Sequence, residues 1–201
     1  MAQLTVPIDA ARFAKGLSWK DYMAQMGDTQ ARTEDNYGKT KLTDEERKFF
    51  SGSALGKVKY ALMLAENWCG DVHRNSPLLA HICEAMPNCE LRVFFRDQNL
   101  DIMNEFLYKG EFQSIPTLVF YDNDLNVLGV FHERAQKARD EIPVHMSPIS
   151  AKMRDETLSE DERKKYMDEY TAFQSGPMWA SWRDAEITEC REILEKAAAQ
   201  K

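Results

Sequence analysis

The chain lacks a basic surplus, a long apolar run and any paired-cysteine motif, and each absence closes a class of function. Lys and Arg total 26 against 33 Asp and Glu, a net charge of -7. Both signs are mixed along most of the chain, whereas nucleic-acid binding rests on a concentrated basic patch. No apolar stretch approaches the ~20 residues that span a bilayer, so no membrane association is expected. Met1 to Gly16 carries Asp9, Arg12 and Lys15 and no uninterrupted apolar segment, so no signal peptide is expected. The four histidines (73, 81, 132, 145) and four cysteines (69, 83, 89, 190) show no CxxC or HxxxH spacing, so no metal site is indicated. The nine glycines form no GxGxxG array, and no cofactor is expected. Cysteines without an export signal read as thiols of a cytoplasmic protein.

What is present is an ordinary globular composition, 43% hydrophobic and 29% charged, which excludes a disordered chain. A length of 201 residues fits one domain with extensions better than two independent cores. From Asp9 to Met26, the apolar residues Phe13, Leu17, Met23 and Met26 predict one or two short helices. Gly27 to Lys41 is polar and reads as a loop. Thr43-Asp44-Glu45-Glu46 has capping-box spacing and opens a helix through Phe49-Phe50 that ends at Ser51-Gly52-Ser53.

The middle of the chain alternates in type. A strand at about 58–66 precedes a helix at about 70–86, and Leu91 to Phe95 follows as a second strand. Asn99 to Tyr108 predicts a short helix. Thr117 to Tyr121 and Val127 to Phe131 flank Asp122-Asn123-Asp124 and read as a hairpin. This order implies a parallel first pair of strands and an antiparallel last pair. From about Glu133 the tail is charged and helical, with a second capping box at Ser159 to Glu162 and a break at Gly176-Pro177. Tyr166, Tyr170, Phe173, Trp179 and Trp182 read as contacts between the tail helices and the sheet.

Trp68-Cys69-Gly70-Asp71-Val72 stands where the first strand passes into its helix. A cysteine there meets the unpaired N–H groups and positive end of the helix dipole, which stabilise the nucleophilic thiolate. Pro77 lies eight residues further on, and Ser114-Ile115-Pro116-Thr117 enters the third strand. Together these segments resemble the thioredoxin superfamily, in particular thioredoxin-like proteins with a Trp-Cys-Gly-Asp motif, over roughly residues 58–135. The resemblance implies an α/β fold, a mixed four-stranded sheet flanked by helices. It also implies a helix kinked at Pro77 and a cis bond before Pro116. Residues 1–57 would be an N-terminal helical extension and 136–201 a C-terminal one packed on the core, a single domain overall.

Two departures strike at dithiol chemistry. Val72 occupies the position of the resolving cysteine, and Met63 that of the buried aspartate which assists it. Cys83, fourteen residues along the same helix, is roughly 21 Å from Cys69 at 1.5 Å per residue, beyond the ~7 Å a disulfide allows. Cys89 falls at the opposite end of the sheet. Cys83, Cys89 and Cys190 read as small buried hydrophobes.

The candidate catalytic residues are therefore Cys69, as nucleophile, and Asp71, as acid–base group or helix-dipole partner. Trp68, Gly70, His73, Arg96, Ile115 and Pro116 are the candidate substrate-binding residues around them. His73 reads first as a solvated surface residue and second as an imidazolium beside the thiol. Arg96 pairs with Asp97 or Asp71, or reaches substrate. By analogy with the family, the Ile115 backbone would hold an extended peptide or a glutathione-like ligand. Three functions follow. A monothiol oxidoreductase would exchange protein disulfides or a low-molecular-weight thiol such as glutathione through Cys69, resolved by an external thiol. A non-catalytic module would bind a protein or peptide in the same groove. A thiol peroxidase or redox sensor ranks last, since the Thr-x-x-Cys pattern of peroxiredoxins is missing.

Overall fold

Four strands form one sheet in the order β2-β1-β3-β4: β1 (Tyr60–Ala65), β2 (Glu90–Phe95), β3 (Thr117–Tyr121) and β4 (Val127–His132). The protein is seen here in a computed structural model describing residues 8–52, 55–173 and 176–199. β1 runs parallel to β2 with Tyr60 opposite Glu90, and antiparallel to β3 with Leu62 opposite Val119. β3 and β4 are antiparallel, as the hairpin reading expects. The two inner strands are buried along nearly their whole length, which is why their sequences are continuous apolar runs rather than alternating ones. The expected mixed, four-stranded α/β sheet flanked by helices is the fold of the chain.

Helices α1 (Ala10–Phe13) and α2 (Trp19–Met23) are each capped by a side chain, Asp9 accepting from the Arg12 N–H and Ser18 from the Asp21 N–H. Between them Leu17 exchanges backbone hydrogen bonds with Val93 at 2.8 and 2.9 Å. That pairing covers the free edge of β2. Gly16 is required for it, since a Cβ there would lie 2.5 Å from the Phe94 ring and 2.7 Å from Arg92 Cβ.

The segment read as a loop, Gly27 to Lys41, is instead a short 3-10 turn (Gly27–Thr29) and helix α3 (Gln30–Lys39). Its only fully buried residue is Thr33, so it carries no apolar stripe by which periodicity finds a helix. Polar contacts anchor it, as described below. Helix α4 (Asp44–Phe50) opens with both halves of the expected capping box, and the part of its end assigned to Ser53 lies outside the described residues.

Helix α5 (Gly70–Ala85) follows β1 and packs against α3, α4 and both β1 and β2. Helix α6 (Leu100–Glu105) stops short of Tyr108, because Lys109 and Gly110 take positive φ values of 55° and 73° in a turn that pairs Tyr108 with Phe112.

The chain divides into two compact units, one of residues up to Glu133 together with Cys190 onward, the other Arg134–Glu189. These units do not follow boundaries at 57/58 and 135/136, and the ends at 1–7 and 200–201 lie outside the described residues. The second unit holds α7 (Gln136–His145), α8 (Ser147–Met153), α9 (Glu160–Phe173) and the first part of α10 (Pro177–Ala199). Trp182, Ala138 and Met146 make its core, with Ile142, Tyr170, Phe173 and Met178 against them. Tyr170, Phe173 and Trp182, assigned from sequence to sheet contacts, thus build a core of their own. Trp182 Nε1–H donates to Glu141 Oε2 at 2.7 Å. Residues 190–199 of α10 belong to the sheet unit, where Ile193 lies over Gly129 of β4.

Among the described residues no helix is long and apolar enough to cross a membrane.

Candidate functional site

β1 ends at Ala65, and four residues later Cys69 is the N-cap of α5, with extended backbone at φ -86° and ψ 123°. The cap makes no side-chain bond to its own helix. Its half-buried Sγ–H donates instead to the carbonyl of Ile115 at 3.6 Å. Ile115 and Pro116 are buried, and the bond joining them is cis. Three of the sequence candidates, Cys69, Ile115 and Pro116, are therefore in one place.

A chain of polar contacts holds that place together. Pro116 O accepts from the Glu133 N–H at 2.6 Å, and Glu133 O accepts from Asn75 Nδ2 at 2.6 Å. Buried Asn75 lies in α5, so the helix carrying Cys69 is tied through the end of β4 to the segment facing the thiol. Thr117 Oγ1–H closes the turn by donating to Ser114 O at 2.7 Å.

Trp68 is 57% exposed. Its Nε1–H donates to Asp97 Oδ2 at 3.3 Å, and the Arg96 guanidinium sits 5.1 Å above its ring. Arg96 in turn donates to Asp97 Oδ1 at 2.7 Å and to Gln113 O at 3.4 Å, so its ion pair is with Asp97 and not Asp71. Gly70 is exposed, and a Cβ on it would meet nothing within 4 Å. Asp71 forms an ion pair with Arg74, one turn along α5. Arg74 itself is buried and donates through Nε to Asn75 Oδ1 at 3.0 Å.

His73 overturns the surface reading. It is buried, 3% exposed, with Nδ1 2.9 Å from Thr33 Oγ1. Burial above all, and the nearby Arg32 charge, push its pKa below the ordinary 6.5. The enclosed imidazole thus joins α5 to α3. The reason for α3 lies beside it. Pro77 has no N–H to give the His73 carbonyl four residues back. Asn36 Nδ2 donates to that carbonyl instead, at 2.8 Å. Further along, Tyr37 OH donates to Glu84 at 2.6 Å, and its ring stacks on His81 at 4.0 Å.

Sequence reasoning missed Glu66 and Tyr22. Glu66 is buried and accepts from the Asp97 N–H at 2.7 Å. Burial raises its pKa, and the Asp97 hydrogen bond offsets part of that rise. The buried Tyr22 hydroxyl, raised by burial first, also feels Glu66 and Cys69. A buried carboxyl is therefore present just beyond the end of β1, three residues after Met63, where the sequence suggested a loss. The acidic residue closing an apolar run was the available signal. Among the described residues no three histidine, cysteine or acidic side chains are grouped to hold a metal ion.

The family model described as Thioredoxin matches residues 16–147. No curated protein matches the chain. Two solved structures resemble it, each with a TM-score of 0.62 at 19% identity and over 94% of this chain. One is a protein of unknown function from Pseudomonas aeruginosa, covered over 99% of its length. The other is an HIV epitope scaffold, covered over 98%. At that identity the likeness is one of fold.

Proposed function

The chain belongs to the thioredoxin family, and from that premise we propose that it is a monothiol oxidoreductase working through Cys69. The observation that carries the reading is the Cys69 sulfur at the N-terminus of the 16-residue α5, beside the cis Ile115–Pro116 bond. The helix end favours the thiolate. That thiolate attacks one sulfur of a protein or glutathione-type disulfide, and the other sulfur leaves as a thiolate that takes up a proton. A second, external thiol then attacks the mixed disulfide and releases Cys69. The external thiol is needed because Val72 is buried and apolar and Cys83 is at the far end of the helix. Asp71, already paired with Arg74, serves to place the first turn of α5. Trp68, Arg96, Ile115 and Pro116 border the incoming disulfide.

The test is alkylation of Cys69 against pH, in a chain with Cys83, Cys89 and Cys190 changed to serine. A midpoint well below the free-thiol value of ~8.5 supports the reading, and one at or above it refutes it. The exposed Trp68 and its Arg96 cover favour one second reading, a peptide-binding module without catalysis. Under that reading a peptide ligand would bind equally well to Cys69→Ser.

A further inference from the structure

Three of the four cysteines lie away from Cys69, grouped around Cys83. Cys83 is in the last turn of α5, Cys89 immediately precedes β2, and Cys190 is on α10. Cys83 and Cys190 are buried, while Cys89 is half-buried. Two successive tight turns join the first pair, Met86 N–H donating to Cys83 O at 3.2 Å and Cys89 N–H to Met86 O at 3.4 Å. Asn88, at a positive φ of 59°, bends the chain back between them. The Cys83 and Cys89 side chains are in hydrogen-bond contact, and Cys190 is near Cys83. Since β2 starts opposite Tyr60 at the beginning of β1, this cluster is at the end of the sheet away from Cys69. The length of α5 separates the two sites by roughly 21 Å.

We propose that Cys83 and Cys89 form a second, self-contained dithiol site that a small-molecule disulfide oxidises to an intramolecular disulfide. The order of events follows from exposure. Cys89, the one the solvent reaches, attacks a sulfur of the disulfide; the S–S bond breaks and one thiol leaves with the Cys89 proton. Cys83 then attacks the Cys89 sulfur and expels the second thiol, which takes the Cys83 proton. The protein pair is oxidised by two electrons and the small disulfide is reduced to two thiols. Burial and the neighbouring thiols hold the Cys83 proton tightly. Closure therefore speeds up as pH rises. The same property makes Cys83 a poor leaving group, so an external thiol attacking the reachable Cys89 sulfur reopens the bond slowly.

The test uses the full chain carrying Cys69→Ser, so that it stands apart from the reading of Cys69. It is incubated with glutathione disulfide, alkylated and digested with trypsin. Residues 75–92 form one tryptic peptide containing both cysteines, and Cys190 lies in another, 184–191. The expected product is peptide 75–92 lighter by two hydrogens and closed to alkylation. Adding Cys89→Ser should abolish that product and leave Cys83 a thiol until the chain is unfolded. Peptide 75–92 bearing stable glutathionyl groups, joined to 184–191, or unchanged would each overturn the proposal. So would Cys83 reacting equally fast without Cys89.

Discussion

Asn36→Ala tests the account of α3 most directly, because its effect depends on a proline in a different helix. Asn36 Nδ2 supplies the hydrogen bond that Pro77 denies to the buried His73 carbonyl. Removing the amide leaves that carbonyl without its donor, and a buried, unsatisfied polar group costs about 1–3 kcal/mol. Changing Pro77 to alanine restores an N–H four residues after His73 and lets α5 make the bond itself. In the Pro77→Ala background Asn36→Ala should cost well under 1 kcal/mol, the ordinary value of a surface change. The double-mutant cycle therefore predicts a coupling energy of about 1–2 kcal/mol. Urea unfolding of the four chains, followed by circular dichroism at constant slope, measures it. With slopes of ~1–3 kcal/mol/M, the single Asn36→Ala change moves the midpoint by roughly 1 M. An Asn36→Ala loss equal in both backgrounds would refute the link between the proline and α3.

The other predictions are independent of that cycle. His73 titrates below 6.5 in the folded chain, so the unfolded chain binds the extra proton first. Stability is then intact above about 6.5 and falls as pH drops through that value. The urea midpoint of the wild-type chain should decline between about pH 7.5 and pH 5.5 and that of His73→Gln should decline less, equal slopes refuting the assignment. Gly16→Ala drives a Cβ into the Phe94 ring and Arg92 Cβ at 2.5 and 2.7 Å, and should destabilise by about 1–3 kcal/mol in the same assay. Tyr22→Phe removes a buried hydroxyl that has no hydrogen-bond partner. It should leave stability unchanged or raise it by up to about 1 kcal/mol, and a loss beyond that would show the hydroxyl to be satisfied. Asn75→Ala breaks the tie from α5 to Glu133 and should cost about 1–3 kcal/mol while slowing alkylation of Cys69, an unchanged rate refuting the coupling.

The sheet was legible because its evidence is apolar. Leu62, Met63 and Leu64 face opposite sides of β1, yet all are buried, and a continuous run of such residues has few alternatives. The capping boxes at Thr43 and Ser159 were legible for a different reason, since each is a local bargain between a side chain and its own helix. Cys69, Ile115 and Pro116 could be brought together only through the resemblance to a family, as nothing local joins residues so distant in sequence. The misplaced residues share one property. His73, Glu66 and the α3 residues Thr33 and Asn36 are polar and are used in the interior, and their partners come from segments 30 to 40 residues away.

That property explains more than the misreadings. A proline inside α5 opens a carbonyl one turn below the thiol, and a polar helix from the N-terminal region closes it. The same helix offers a hydroxyl to the ring of His73, and α5 passes its own amide, from Asn75, on to the segment facing Cys69. The Asn36 bond is needed because Pro77 leaves the His73 carbonyl without its helical donor, and burial makes an unpaired group expensive. The position of the sulfur is thus held by a relay of polar groups extending from α3 to Pro116. A core made of apolar contacts tolerates exchanges of similar volume, whereas such a relay tolerates few, because each donor must meet its particular acceptor. Substitutions along it should act on the Cys69 reaction as well as on stability, and apolar exchanges of similar volume in β1 should act on stability alone.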